Sequence, residues 1–290
     1  MRALAIDLGG TNIRAGISEE DALAPRLLGR WPAPASLDEL RQRLASLLAD
    51  SGAAKMGICI PGLARNTVCA WVPNLPFLDS VDFAALFPDV RVTLGNDAQF
   101  ALLAEAVGGA AREVDNAILL AIGTGIGSAV LADGRILRGA GGAATSFGWA
   151  CADTADQGSD VHGWLERTAS GTAFDRIAAG LGYADGRALM TAVREGDEEP
   201  SRAVEPAAAA LGTALAGAVA LTGAARLIFA GGVVESLDVL GHLLRPALTR
   251  QLPPHLRDVE IAAGEFGTQA GLVGAGLAAH GHPIWAEDRP

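Results

Sequence analysis

A chain of 290 residues, half of them hydrophobic and 19% charged, can bury a sizeable core. It is not disordered, and it is longer than one small core needs, so two lobes are expected. The formal charge of −11, from 33 acidic against 22 basic residues, gives no field to draw the chain to nucleic acid or to an anionic membrane, and neither is expected as a partner.

Lys55 is the only lysine. No G-x-x-x-x-G-K-[ST] string occurs, so any phosphate chemistry falls to backbone amides, arginine or a metal. Cys59, Cys69 and Cys151 are odd in number and far apart, which argues against a disulfide framework and for a reducing compartment. They read as ordinary buried thiols. The start of the chain shows no signal-peptide pattern, and charges and glycines interrupt every apolar stretch before the ~18–20 residues of a membrane span, so a soluble cytoplasmic protein is expected.

Residues 2–8 (RALAIDL) and 13–18 (IRAGIS) read as two strands joined by a Gly-rich turn. The segment 36–50 has a Ser cap, acids in its first turn and leucines at helical spacing, and is expected to be an amphipathic helix. A strand at 55–60, a strand at 90–95 and a helix from about Asp97 to Val107 continue an α/β lobe.

A second strand, Gly turn and strand follow at 117–131 (AILLAIGTGIGSAVL), with Asp133-Gly134 as a hairpin signal. This unit repeats the design of ALAIDLGGTNIRAGI, so the chain reads as internally duplicated. Beyond a Gly/Ala-rich loop at 139–146, helical stretches are expected near 160–180, 185–195 and 202–223. A strand at 226–230 ending in Gly231-Gly232, a helix at 236–250, a strand at 258–263 and a helix at 269–280 complete the chain. The lobe boundary is placed near 108–115, giving a small lobe of 1–110 joined by the C-terminal helix at about 268–290, and a large lobe of 111–267. Two glycine turns opening duplicated lobes would let backbone N–H groups approach one ligand from two sides, and a nucleoside triphosphate is the natural guest.

Two strings carry chemistry. In IDLGGTNIR (6–14), Asp7 closes a strand and Gly9, Gly10 and Thr11 form the turn; either this is a plain hairpin, or Asp7 holds Mg²⁺ through water while the turn amides hold phosphate. The copy at Gly123, Thr124, Gly125 and Gly127 favours the second reading. In GNDAQFALLAE (95–105), Asp97 is either a helix cap or the fixed carboxylate that takes a proton from an attacking hydroxyl, with Asn96 orienting that hydroxyl.

Taken in order, DLGGTNIR, PGL (61–63), PNLPF (73–77), GND (95–97), GTGIG (123–127), RGAGGAA (138–144), GWLERTASGTA (163–173), AGGV (230–233) and QAGLVGAG (269–276) resemble the ROK group of sugar kinases over nearly the whole chain. The resemblance implies a duplicated α/β two-lobe ribonuclease-H-like fold of the actin and hexokinase type. ATP and sugar would lie in the interlobe cleft, and a sugar hydroxyl would be phosphorylated with ATP and Mg²⁺. Asp97 would be the general base; Asn74, Asn96, Asp97 and Glu166 would face the sugar, with Ser146 and Trp149. Asp7, Gly9, Gly10, Thr11, Asn12, Gly123, Thr124 and Gly125 would hold the nucleotide phosphates and Mg²⁺, Gly231-Gly232 the adenosine. A homodimer is expected.

The departures fall in one segment. Where the family carries Gly-Glu-x-Gly-His, this chain reads TSFGW, with Ser146 for Glu and Trp149 for His. Counting back from Glu166, the three zinc cysteines fall on Gln157, Ser159 and Trp164, so no structural zinc is expected; Cys151, Asp153, Asp156, Asp160 and His162 read as a solvated acidic loop. The substrate is therefore expected not to be plain glucose; an amino sugar or a C7 cyclitol of secondary metabolism is the alternative acceptor. A non-catalytic, sugar-sensing regulator is the reading from another class.

Overall fold

The computed structural model describes residues 2–285. Its strands are β1 (Arg2–Leu8), β2 (Asn12–Glu19), β3 (Arg26–Pro32), β4 (Lys55–Ile60), β5 (Leu63–Arg65), β6 (Val68–Trp71), β7 (Arg91–Asn96), β8 (Ala117–Ile122), β9 (Ile126–Ala132), β10 (Arg135–Ile136), β11 (Arg226–Ala230) and β12 (Glu260–Ala263). The helices are α1 (Leu37–Ser51), α2 (Phe83–Leu86), α3 (Asp97–Gly108), α4 (Trp164–Ala169), α5 (Gly171–Gly180), α6 (Gly186–Glu195), α7 (Glu198–Thr222), α8 (Leu237–Arg250) and α9 (Ala270–His280).

Two five-stranded sheets, ordered β3-β2-β1-β4-β7 and β10-β9-β8-β11-β12, repeat one plan. In the first, β1 pairs antiparallel with β2 and parallel with β4, and β4 pairs parallel with β7. In the second, β8 and β12 both lie parallel to β11, and β9 and β10 are antiparallel. The duplication read from the two Gly turns is thus a duplication of sheets. By packing, the chain forms two compact units. One holds the described residues up to Glu113, Ala129–Thr145 and those from Glu265; the other holds Val114–Ser128 and Ser146–Gly264. Residues 129–145, assigned to the second lobe from sequence, fall in the first of these units.

In the first unit β1 and β4 are buried almost throughout, as parallel strands covered on both faces must be. One cover is α9, whose string of small residues allows close approach: a Cβ on Gly57 would lie 1.9 Å from the Ala275 carbonyl oxygen, and one on Gly274 would lie 2.0 Å from that of Phe100. α1 starts as predicted, with the Ser36 hydroxyl accepting from the Glu39 N–H and the Glu39 carboxylate accepting from the Ala35 N–H.

α3 ends on a buried carboxylate that no local sequence pattern singles out. Glu105 is 1% exposed and accepts from the Ala110 N–H at 2.8 Å and the Phe266 N–H at 3.1 Å, tying the end of α3 to the segment that leads into α9. Glu105→Ala removes both charge-assisted bonds from a closed site and should lower stability by about 2–4 kcal/mol. Calorimetry should show a fall in Tm of several degrees; an unchanged Tm would count against this tie.

Several expectations need correction. The helix expected across 160–180 is two helices, α4 and α5, because Ser170 is extended and caps α5 through a bond from the Ala173 N–H. Strand β3 and the β5–β6 hairpin were not anticipated, and β10 is only two residues long. Cys59 and Cys69 are buried, but Cys151 is exposed; all three are free. The expectation that no stretch is long and apolar enough to span a membrane also fails: α7, with 25 residues, qualifies by length and composition, since few charges fall within its apolar length. Its Val204, Leu211, Leu215 and Val219 are buried, and Gly212 lets it close on the Leu244 carbonyl of α8, the packing of a core helix.

Candidate active site

Two clusters of the predicted residues form, one in each unit. In the first, β1, β4 and β7 run parallel with Asp7, Cys59 and Gly95 in register, so that Asp7 and Cys59 are side-by-side neighbours and Asp97 stands two residues beyond Gly95. The turn Gly9–Asn12 closes with the Gly9 N–H donating to the Asn12 carbonyl at 2.9 Å. Asn74 stands against it; a Cβ on Gly10 would lie 3.1 Å from the Asn74 Cβ. The tight turn also brings Arg14 opposite Asp7, with Nε 3.6 Å from the carboxylate and the guanidinium donating to the Thr268 carbonyl.

Asp7 is largely enclosed. Burial pushes its carboxyl above the ordinary aspartate value, against the pull of the Arg14 charge and a hydrogen bond from Cys59. Burial also pushes the Cys59 thiol well up, so it stays protonated beside the carboxylate. A Cβ on Gly271, in α9, would lie 3.1 Å from Asp7 Oδ1 and 3.0 Å from Cys59 Sγ, so a larger residue there would press on both side chains.

The cap of α3 is Asn96 in place of Asp97: its Oδ1 accepts from the Ala98 and Gln99 N–H groups at 2.9 and 3.1 Å, and its Nδ2 donates to the Gly62 carbonyl. Asp97 makes one backbone bond, from the Ala98 N–H at 2.8 Å, and its side chain stays open to solvent. Nonetheless the protein crowds it. Desolvation, together with the nearby Asp7 charge, outweighs that bond and pushes the Asp97 carboxyl up to about 6. Gln99, also missed from sequence, is 2% exposed and donates to the Ala144 carbonyl at 2.5 Å, fixing the Gly-rich loop to α3.

In the second unit the turn Gly123–Gly125 is anchored by its carbonyls. Gly123 O accepts from the Gly171 N–H at 2.7 Å and Thr124 O from the Thr172 hydroxyl at 2.9 Å, while a Cβ on Gly123 would meet nothing within 4 Å. Gly231 has φ +81° and packs on the Ile122 backbone just before that turn; Gly232 opens to free space. Glu166 accepts from the Ile126 N–H at 3.0 Å, and a Cβ on Gly125 would lie 2.4 Å from its Oε2. Ser146 and Trp149 are exposed, the latter by 50%, and Gly148 between them packs on the Glu166 Cβ.

The loop read as a solvated run of acids is more ordered than that. Asp156 is gripped by the Arg167 guanidinium at 2.8 and 3.0 Å, which holds its carboxyl below the usual aspartate value. His162 is exposed, as expected of a surface or loop histidine, and it pairs through Nδ1 with Glu166 Oε1 at 2.8 Å. Among the described residues no three His, Cys, Asp or Glu side chains are grouped to hold a metal ion.

Comparison with known proteins agrees with this architecture. The ROK family model matches residues 3–282. The N-acetylmannosamine kinase of Escherichia fergusonii is 29% identical over 98% of this chain and 100% of its own. The ROK hexokinase of Thermus thermophilus superposes with a TM-score of 0.79 at 27% identity, covering 97% of this chain and 98% of that one. The fold is also that of a ROK glucokinase from Streptomyces griseus in complex with glucose and AMPPNP, with a TM-score of 0.73, 24% identity and coverage of 96% and 99%. With the family model spanning both sheets and both Gly turns, the chain belongs to the ROK family and is a carbohydrate kinase.

Proposed function

We propose that the protein transfers the terminal phosphoryl group of ATP, as its Mg²⁺ complex, to a hydroxyl of a hexose or hexose-like polyol, with Asp97 as general base. The observation that carries this reading is the state of Asp97: a carboxylate open to a substrate, crowded by protein, with its carboxyl at about 6. Such a group is ionised at neutral pH yet more basic than a free aspartate. It can therefore take the hydroxyl proton as the new bond to phosphorus forms.

The remaining roles belong to the same reading. Asp7 fits a cation held through water, because burial already disfavours its charge and a nearby cation relieves that cost. When bound, Mg²⁺ neutralises the phosphate charge, and most of the rest of phosphoryl transfer is positioning. Gly9, Gly10, Thr11 and Asn12 form one phosphate turn and Gly123, Thr124 and Gly125 the other, with Gly231 and Gly232 beside the adenosine. Asn74, Asn96 and Glu166, with Ser146 and Trp149, contact the acceptor. Incubation of purified protein with Mg-ATP and glucose, N-acetylmannosamine, an amino hexose or a C7 cyclitol tests this reading. ADP release dependent on one of them is expected, and no release with any would count against it.

A second reading of the acceptor, N-acetylmannosamine, is favoured by the full-length similarity to the Escherichia fergusonii enzyme. The same panel separates the two. Zinc has no part in either, since Trp149, Gln157, Ser159 and Trp164 do not offer the sulfur and imidazole ligands of a closed tetrahedral site. Elemental analysis should find no stoichiometric zinc and chelation should leave Tm unchanged; one zinc per chain would refute this.

A further inference from the structure

Glu166 has three rotatable side-chain bonds, and a carboxylate that must meet a substrate in one orientation gains from being fixed beforehand. Here each of its oxygens is held by a different donor: Oε2 by the Ile126 N–H at 3.0 Å, Oε1 by His162 Nδ1 at 2.8 Å. Two anchors on two oxygens fix the carboxylate plane, and each oxygen keeps a second lone pair for another donor. Because an ionised carboxylate only accepts, the bond requires the proton on His162 Nδ1.

His162 is itself fixed through its backbone. Its N–H donates to the Ser159 hydroxyl at 3.3 Å, and its carbonyl accepts from Arg167 Nε at 3.2 Å, while Nη2 of that guanidinium grips Asp156. The chain next to it is pressed into place, since a Cβ on Gly163 would lie 2.2 Å from the Gly148 carbonyl and 2.4 Å from the Trp149 Cα. All of these groups belong to one unit.

We infer that His162 is a positioning residue that aims the Glu166 carboxylate at the acceptor, and that the loop from Asp156 to His162 is a metal-free strut for that carboxylate. The inference rests on the reading of Glu166 as an acceptor contact. The imidazole is 61% exposed on its side-chain surface, so its conservation of fold is not at stake, and its substitution tests the hydrogen bond itself.

The test uses the purified full chain with His162→Leu, which removes the donor, and His162→Gln, which keeps one. The first readout is hydrogen exchange of the Ile126 amide by NMR, without substrate. It should quicken about tenfold in the Leu variant and stay near wild type in the Gln variant, in line with the worth of a bond to a charged group. The second is the KM–kcat split with the best acceptor among glucose, N-acetylmannosamine and glucosamine. Acceptor KM should rise about tenfold in His162→Leu, with kcat and the KM for ATP nearly unchanged, and His162→Gln should restore it. Unchanged exchange in His162→Leu overturns the strut, as do equal losses in both variants. Glu166→Gln with unchanged acceptor KM would instead remove the reading of Glu166 as a contact, while the exchange experiment still decides whether His162 holds it.

Discussion

Replacing Asp97 by asparagine is expected to lower kcat by roughly 10²–10⁴, the usual contribution of a general base, with acceptor affinity changed far less. Asparagine keeps the size and one acceptor oxygen, so the bond from the Ala98 N–H at 2.8 Å can survive, and the α3 cap is untouched because Asn96 provides it. The pH dependence follows from the same group. With the carboxyl at about 6, kcat/KM of the wild type should level off above that value and fall about tenfold per unit below it, where Asp97 carries a proton and cannot accept another. That limb should vanish from the residual activity of Asp97→Asn.

Stability gives an independent check on the same substitution. A carboxyl raised in the folded state above its unfolded value binds protons more readily when folded, so it costs stability above about pH 6 and the cost disappears as pH falls to the unfolded value. Asp97→Asn should therefore melt no lower than wild type at neutral pH while losing turnover. Near-normal turnover, or a loss of activity that tracks a loss of Tm, would remove Asp97 from the chemistry.

What was legible in the sequence was whatever is local. Asp7 and its glycine turn, Asn96-Asp97 at a strand-to-helix junction and the GTG turn are each written within ten residues, and the repetition of the first in the third is visible by eye. Arg14 was legible in principle: once a four-residue turn joins β1 to β2, position 14 must fall opposite position 7. Cys59 was not, because its place beside Asp7 depends on the parallel register of β1 and β4, which are separated by β2, β3 and α1. Glu105 and Gln99 sit in a helix whose composition reads as plain core. Their partners, Phe266 and Ala144, lie 161 and 45 residues away, and both are backbone groups that no side-chain pattern announces.

The segment that departs from the family pattern also shows why a missing motif is weak evidence for a missing role. Trp149, Gln157, Ser159 and Trp164 stand at the positions where the family resemblance implies zinc ligands, yet the loop remains fastened, through the two bonds from Arg167 to Asp156 and the one from Arg167 to the His162 carbonyl. One arginine makes these bonds from two nitrogens in fixed geometry, Nε and Nη2, which suits it to bridging a carboxylate and a carbonyl. Local support has changed its chemistry while Glu166 keeps its place on the second Gly turn. Decay of the whole site would not be expected to leave that carboxylate anchored at both oxygens.

The acceptor itself is expected to differ from glucose at the anomeric end. In the family pattern the Glu and His of Gly-Glu-x-Gly-His would each make a strong polar contact there, and bonds to charged groups contribute about 1.5–3 kcal/mol apiece. In this chain those positions are Ser146, exposed and too short to reach as a glutamate does, and Trp149, whose half-exposed indole offers an apolar face and one N–H donor. Losing two such contacts weakens an acceptor that needs them by about a hundredfold. An amino or deoxy sugar, a ketose, or a carbocyclic cyclitol with no anomeric oxygen loses less, and the indole face suits the apolar face of a ring. The prediction is that kcat/KM for an amino hexose or a C7 cyclitol exceeds that for glucose and for N-acetylmannosamine by about tenfold or more. Glucose or N-acetylmannosamine ahead by that margin would refute it and would mean that other side chains replace the lost contacts. Asp153 is the first to test among them, because it lies four residues beyond Trp149 and already accepts a bond from the Ala155 N–H.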